Sequence, residues 1–356
     1  MKTIISIIIF CVVLFFYLHL LYHLKTSDDL ELYTIDNPSK DKLEEICNLR
    51  QPVTFEFHID EKGINRETIY EKFGAFDVRV RDVNDINNDY VPLELNVVSK
   101  LFETDNDNKY YTENNEDFLR ETGVIKIIQY NDAFLRPHLV SNCNYDILYG
   151  SDKACTPFRY ELNNRTFFYV NKGNIKIKLS PPKSSKYLYS QKDYENFEFR
   201  SLINPWNVQP QYQQDFNRTK SMDVVLHENA IIFIPAYWWY SIQFNSSTEL
   251  VAMKYRTYMN NIAIAPHLFM GVLQNQNVKI RSVKNLAKTV DVLNNPNKMD
   301  DNESEIINNE NTNTKIIPET SVVGTTDISK LLPNSLEEEV INNSNNNKIE
   351  EKKKEK

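Results

Sequence analysis

The chain has 356 residues, 41% of them hydrophobic and 12% aromatic, which is enough apolar mass for one large or two ordinary domains and excludes a wholly disordered protein. A net charge of −8 and a pI near 5.4 argue against a general grip on nucleic acid or anionic membrane, since such binders carry a basic domain or stripe. The four cysteines, Cys11, Cys47, Cys143 and Cys155, lack the paired spacing of a zinc site and are expected as free thiols.

The first element starts at Ile4 and ends at Leu24, almost wholly apolar and interrupted only by Ser6, Tyr17, His19, Tyr22 and His23. As a helix, about 20 such residues match the hydrocarbon thickness of a bilayer, so residues 1–25 are expected as a transmembrane anchor. A cleaved signal peptide competes, but no small-x-small site follows, because Leu24-Lys25-Thr26-Ser27 leads straight into Asp28 and Asp29. The flanking lysines, Lys2 on one side and Lys25, Lys40 and Lys42 on the other, lean towards a body on the cytoplasmic side. Residues 26–45 are expected as a linker.

From 46 to 275 the pattern is globular and mainly β. Runs rich in β-branched and aromatic residues at 53–57, 76–80, 124–129, 167–170, 175–179, 224–226, 231–234 and 250–255 predict short strands, hence a barrel or sandwich. Apolar residues recur at helical spacing over 42–49 and 114–121, which predicts flanking helices. Residues 276–356 are rich in asparagine and end in a run of mixed charge, so they are expected as a disordered tail.

Most chemistries lack a motif. No Gly-x-Ser-x-Gly, Walker or zincin pattern occurs, and seven glycines leave no phosphate-cradling loop. A His-x-Asp does occur at His58-Ile59-Asp60, with His138, His227 and His267 as conceivable third ligands, but it sits early and beside Glu61, Lys62 and Gly63, which read as a turn. Phe158, Tyr160, Phe167, Tyr169, Trp238 and Trp239 read as core packing. The N-glycosylation patterns at Asn164, Asn217, Asn245, Asn302 and Asn342 are expected by chance in so asparagine-rich a chain.

Several stretches stand in a telling order. Thr156-Pro157-Phe158-Arg159-Tyr160-Glu161 is followed by Phe167-Phe168-Tyr169-Val170, a turn at Gly173, and Pro181-Pro182; then come Lys186-Tyr187-Leu188-Tyr189, and Ile232-Phe233-Ile234-Pro235-Ala236-Tyr237-Trp238-Trp239-Tyr240. With Gln51-Pro52-Val53 and Leu135-Arg136-Pro137 upstream, this series resembles the cupin-like, JumonjiC-type domain family. Its combination with an anchor and a Tyr-Trp-Trp-Tyr ending is similar to the cupin-like proteins of large DNA viruses. The resemblance implies a double-stranded β-helix, and in active members Fe(II) and 2-oxoglutarate chemistry.

Carried over position by position, the family's first iron histidine falls on Arg159, its aspartate on Glu161 and its last histidine on Tyr240. The lysine for the far carboxylate of 2-oxoglutarate falls on Ile175, and Lys176 next door faces the other side of the strand. Two pocket asparagines fall on Arg165 and Lys254, and Thr156 alone matches a cosubstrate position. Arginine has no free lone pair and repels a divalent cation. The expectation is therefore no catalytic residue, no metal and no cofactor, with a role in binding or scaffolding at a membrane. The alternative is an Fe(II)/2-oxoglutarate oxygenase with unusual ligands, and a third class is a structural membrane protein that recruits partners through its tail. Arg159 and Glu161 are expected to pair beside Tyr240, and Arg165 and Lys254 to point inward, an excess of cations that suits a small anionic ligand; a protein partner is the other candidate.

Overall fold

The computed structural model of the chain describes residues 2–59, 66–84, 90–245 and 248–277. In chain order the first elements are α1 (Lys2–Leu24), β1 (Tyr33–Ile35), α2 (Lys40–Cys47), β2 (Val53–Glu56), α3 (Arg66–Phe73), β3 (Asp77–Asp82), β4 (Val91–Glu94), α4 (Leu95–Thr104) and β5 (Tyr110–Thr112). There follow α5 (Glu116–Glu121), α6 (Ile125–Asn131), β6 (Val140–Gly150), β7 (Arg159–Tyr160), β8 (Arg165–Lys172), β9 (Asn174–Ser180), β10 (Ser190–Asp193) and β11 (Glu198–Ser201). The last are α7 (Gln213–Phe216), β12 (Met222–His227), β13 (Ala230–Ile234), β14 (Trp239–Phe244), β15 (Glu249–Thr257) and α8 (Tyr258–Ala263).

The strands form two sheets, one in the order β1-β2-β13-β8-β15-β6-β5-β3-β4 and the other β10-β11-β7-β14-β9-β12. Within them β13-β8-β15-β6 and β7-β14-β9-β12 are two antiparallel four-strand sets, and the chain crosses repeatedly from one to the other, which is a double-stranded β-helix. Alternation along each strand then divides the core in two. Phe168 and Val170 of β8, Ile175, Ile177 and Leu179 of β9, Ile232 and Ile234 of β13 and Tyr240 and Ile242 of β14 pack together inside the barrel. Phe167 and Tyr169 of the same β8 face outward, onto a second cluster closed by Leu43 and Ile46 of α2, Val98 and Leu101 of α4 and Ile125 and Ile128 of α6. The turn into β9 needs Gly173, whose φ of +81° lies in the left-handed region that residues with a Cβ rarely adopt.

The mainly β architecture with flanking helices is the one expected, with three local corrections. The run at 124–129 belongs to α6, where Ile125 and Ile128 are buried one helical turn apart; a short β-branched run fits either period. The expected linker, 26–45, is part of the fold: β1 pairs in parallel with β2, Leu30 and Leu32 pack on the barrel interior, and Ser39 caps α2 by accepting from the Lys42 amide. The chain also divides after Ile264, earlier than the expected boundary at 275. Residues 193–197 and a helix over 265–277 make a separate unit in which Tyr194 meets His267 at 3.2 Å. No disulfide joins the four cysteines. The expected tail, 276–356, lies outside the described residues beyond 277.

α1 is 23 residues long, with no buried residue, and by length and composition it suits a bilayer span, a test that a signal sequence also passes.

Candidate functional site

The register of the smaller sheet sets the site. On β7, Arg159 stands directly across from Tyr240 on β14 and from Arg200 on β11, so Arg159 and Tyr240 share a face and the guanidinium carbon lies 5.7 Å from the Tyr240 ring centroid. Glu161 follows two residues on. It does not pair with Arg159, as expected from the sequence; each has found a different partner.

Arg159 is buried and held by two carboxylates that the motif reading did not foresee. Its Nη1 donates to Glu113 Oε1 at 3.0 Å and to Glu198 Oε1 at 2.9 Å, and its Nη2 donates to Glu113 Oε2. Arg81 of β3, 1% exposed, completes a square by donating to Glu113 Oε1 at 3.0 Å and to Glu198 Oε2 at 3.1 Å. Tyr90 and Tyr111 donate their hydroxyls to Glu113 at 2.7 and 3.2 Å. Two arginines and two glutamates thus balance in charge. Burial works against ionising Glu113, but Arg159 and then Arg81 outweigh it and hold the carboxyl well below the usual carboxylate range. The Arg159 guanidinium is pushed well above its ordinary value, since Glu113, Tyr240 and Glu198 overcome its burial.

Glu113 is fixed from behind. It follows β5, and the next two backbone amides, of Asn114 and Asn115, donate to the buried Asp146 carboxylate of β6 at 2.6 and 2.8 Å. Asn114 sits at φ +61°, a conformation asparagine tolerates better than most residues. Burial pushes Asp146 up to about 6 against the pull of those amides and of Lys254.

The second group centres on Glu161. Its Oε1 accepts from Lys254 Nζ at 2.7 Å and from the Tyr240 hydroxyl at 2.6 Å, while its Oε2 accepts from Asn163 Nδ2 and, at 3.4 Å, Thr166 Oγ1. Burial would raise its pKa, but Lys254 and the Tyr240 hydrogen bond lower it to about 2. Tyr240 moves the other way: burial, then the neighbouring Glu161 charge, push its phenol well above its usual value, so it stays protonated and donates.

The remaining expected positions divide. Ile175 is fully buried in the apolar barrel interior and Lys176 is exposed, as strand alternation requires. Lys254 points inward with Leu250 and Ala252 and reaches Glu161. Thr156 is buried, but its Oγ1 is spent accepting the Ile242 amide of β14 at 2.9 Å. Arg165 is a correction: it precedes Thr166 on β8 and so faces the opposite side of the sheet, where it pairs with Glu44 of α2 and reaches the Leu135 carbonyl at 3.5 Å. The inward excess of cations therefore does not form, because Arg159, Lys254 and Arg165 each meet a carboxylate. Of the early His-x-Asp, Asp60 lies outside the described residues, and among the described residues no three His, Cys, Asp or Glu side chains cluster in a way that could hold a metal.

These residues do not fit the iron of a facial triad. That centre needs two neutral nitrogen donors and a carboxylate on one side of the metal. Here the first position is a cation locked to two carboxylates, the third a protonated phenol, and both oxygens of the one candidate carboxylate accept hydrogen bonds. Nor does the 2-oxoglutarate tail find a cation, since Ile175 stands at its place.

No curated protein matches the chain, so the expected likeness to viral cupin-like proteins gains no support. A family model described as the cupin-like domain matches residues 31–262, a stretch that begins just before β1 and closes within α8. With its barrel, the order of its strands and well over half its length inside that match, the chain belongs to the cupin-like domain family.

Proposed function

We propose that this cupin-like domain works without iron and 2-oxoglutarate, as a membrane-anchored binding or scaffolding protein. The observation that carries the reading is Arg159 at the first ligand position, held by Glu113 and Glu198. A divalent ion placed there would meet a fixed positive charge at hydrogen-bonding range, and displacing that arginine would leave two buried carboxylates with only Arg81 to balance them. Scaffolding is favoured over capture of a small anion, because each inward cation already faces a carboxylate. The anchor is α1, and the body is assigned to the cytoplasmic side. The test is metal analysis of the purified full chain, with turnover of 2-oxoglutarate measured under iron and ascorbate. Sub-stoichiometric iron and turnover at the no-enzyme rate are expected. Stoichiometric iron that is lost in Glu161→Ala would overturn the reading.

A further inference from the structure

The tether between α1 and the body is short. The helix ends at Leu24, and by Asp28 the chain is already fastened, its carboxylate accepting the Lys183 amide at 2.9 Å; Asp29 then accepts from Gln51 at 3.3 Å. An extended chain advances at most about 3.6 Å per residue, so the barrel stays within about 14 Å of the point where the helix ends. A tether that short keeps one face of the body against whatever surrounds α1.

The contacts of α1 identify the face. Its last turns are half-buried at His19, Leu20 and His23, the Tyr22 hydroxyl donates to Asn48 Oδ1, and the Arg50 guanidinium carbon sits 5.2 Å from the Tyr22 ring centroid. α8 packs against α1 as well. Beside these contacts lie four large apolar side chains open to solvent: Leu49 at 48%, Leu139 at 75%, Tyr258 at 62% and Ile262 at 42% exposed. They fall in two groups. Leu49 lies between Asn48 and Arg50 in sequence, the Tyr258 amide donates to the Leu139 carbonyl at 3.3 Å, and Ile262 is one turn beyond Tyr258 on α8. Single exposed apolar residues are ordinary, but several of them beside the elements that an apolar helix packs on is the pattern of an interfacial surface.

We infer that this face rests on the lipid bilayer that α1 crosses, with Leu139, Tyr258 and Ile262 in the headgroup region, so that the body lies on the membrane instead of swinging from a stalk. The inference rests on α1 being an uncleaved span. It also orients the barrel: Asn164, whose Oδ1 lies 3.4 Å from Arg50 Nη1, and Asn163, which holds Glu161, belong to the β7–β8 loop beside Arg50, so the Glu161 end of the barrel lies on the membrane side.

The test uses the full chain in phosphatidylcholine nanodiscs, its native cysteines replaced and an environment-sensitive fluorophore attached through Leu139→Cys, Tyr258→Cys, Val225→Cys or Leu14→Cys. Val225 on β12 is an exposed control and Leu14 reports the span. Labels at 139 and 258 are expected to be quenched several-fold more strongly by spin-labelled lipid than the label at 225, and several-fold less by iodide. If they match 225 while the label at 14 is in lipid, this inference fails alone. A label at 14 open to iodide removes the anchor reading and this inference with it. Labels at 139 and 258 shielded from both quenchers mean a protein covers the face, which also overturns it. Amide exchange on the unsubstituted chain is an independent check, with peptides of α8 expected to exchange more slowly in nanodiscs than in detergent.

Discussion

Glu161 is an acid whose folded and unfolded states hold their protons differently, and that difference can be read as stability. Lys254 and Tyr240 lower its pKa from 4.5 to about 2 in the fold, so the folded state carries the charge where the unfolded chain would already be protonated. The contribution is fully present above about pH 4.5 and is lost as pH falls towards 2; the shift corresponds to about 3 kcal/mol. Asp146 acts in the opposite sense, its raised pKa of about 6 making protonation below that pH favour the fold, while Glu113 and Glu198, held low by the arginines, add their own slope at acid pH, so the Glu161 part is the difference between the chain and its variant. We expect Glu161→Gln to make the acid arm of a stability profile less steep between pH 4 and 2, measured by denaturant unfolding at each pH, while leaving its shape above pH 5 unchanged. An equally steep arm in the variant would show that Lys254 and Tyr240 do not stabilise the charged form. The arginine substitution itself was legible in the sequence, because a motif position was occupied by a side chain that cannot ligate. Its partners were not. Glu113 directly follows β5 and Glu198 opens β11, one far upstream of the motif and one in the segment between β9 and β12, and only the folded sheets bring them within 3 Å of Arg159. The general rule that buried charges are paired gave the certainty of a partner without its identity.

Strand alternation explains which expectations about the elements hold. It correctly separated Ile175 from Lys176 and put Lys254 inside the barrel, because a strand leaves only two faces to choose between. It would equally have put Arg165 outside, next to inward Thr166, had the phase of β8 been taken from Phe168 and Val170 instead of from a family position. The 11-residue β6 was missed because its polar start, Val140-Ser141-Asn142-Cys143-Asn144, masks the apolar run that follows. At α6 the apolar signal was present but its period was ambiguous. The corrected place of Arg165 has a measurable consequence. It joins β8 to α2, so Arg165 and Glu44 should couple to each other and not to the pocket. A double-mutant cycle with Arg165→Met and Glu44→Gln is expected to return a coupling on the order of 1–3 kcal/mol in unfolding free energy. The same cycle between Arg165 and Glu161 is expected near zero, and a sizeable value there would return Arg165 to the pocket.

At the scale of the whole molecule the proposed anchor makes a claim about which side of a membrane the body occupies, and the fold supplies a reporter for it. Five N-glycosylation patterns occur in the sequence, but their accessibility differs greatly. Asn164 is 8% exposed and lies against Arg50, so a glycan there would have to unseat the turn that meets α1. Asn217 is the opposite case. It follows α7 as its last cap, is exposed, and is followed by Arg218 and Thr219, with the Thr219 hydroxyl turned onto the Phe216 carbonyl. A body translocated into a secretory lumen would offer this asparagine without unfolding, whereas a cytoplasmic body would never meet the transferase. The topology proposed above keeps the body on the cytoplasmic side, as the flanking lysines lead one to expect. Expression of the full chain in a eukaryotic secretory system is therefore expected to give a product whose mobility does not change with endoglycosidase treatment, and Asn217→Gln should migrate identically. A deglycosylation shift that disappears in Asn217→Gln would place the body in the lumen and reverse the assigned topology. It would leave the argument from Arg159 untouched, since the square of Arg81, Glu113, Arg159 and Glu198 is built wholly within the body and does not depend on the side it faces.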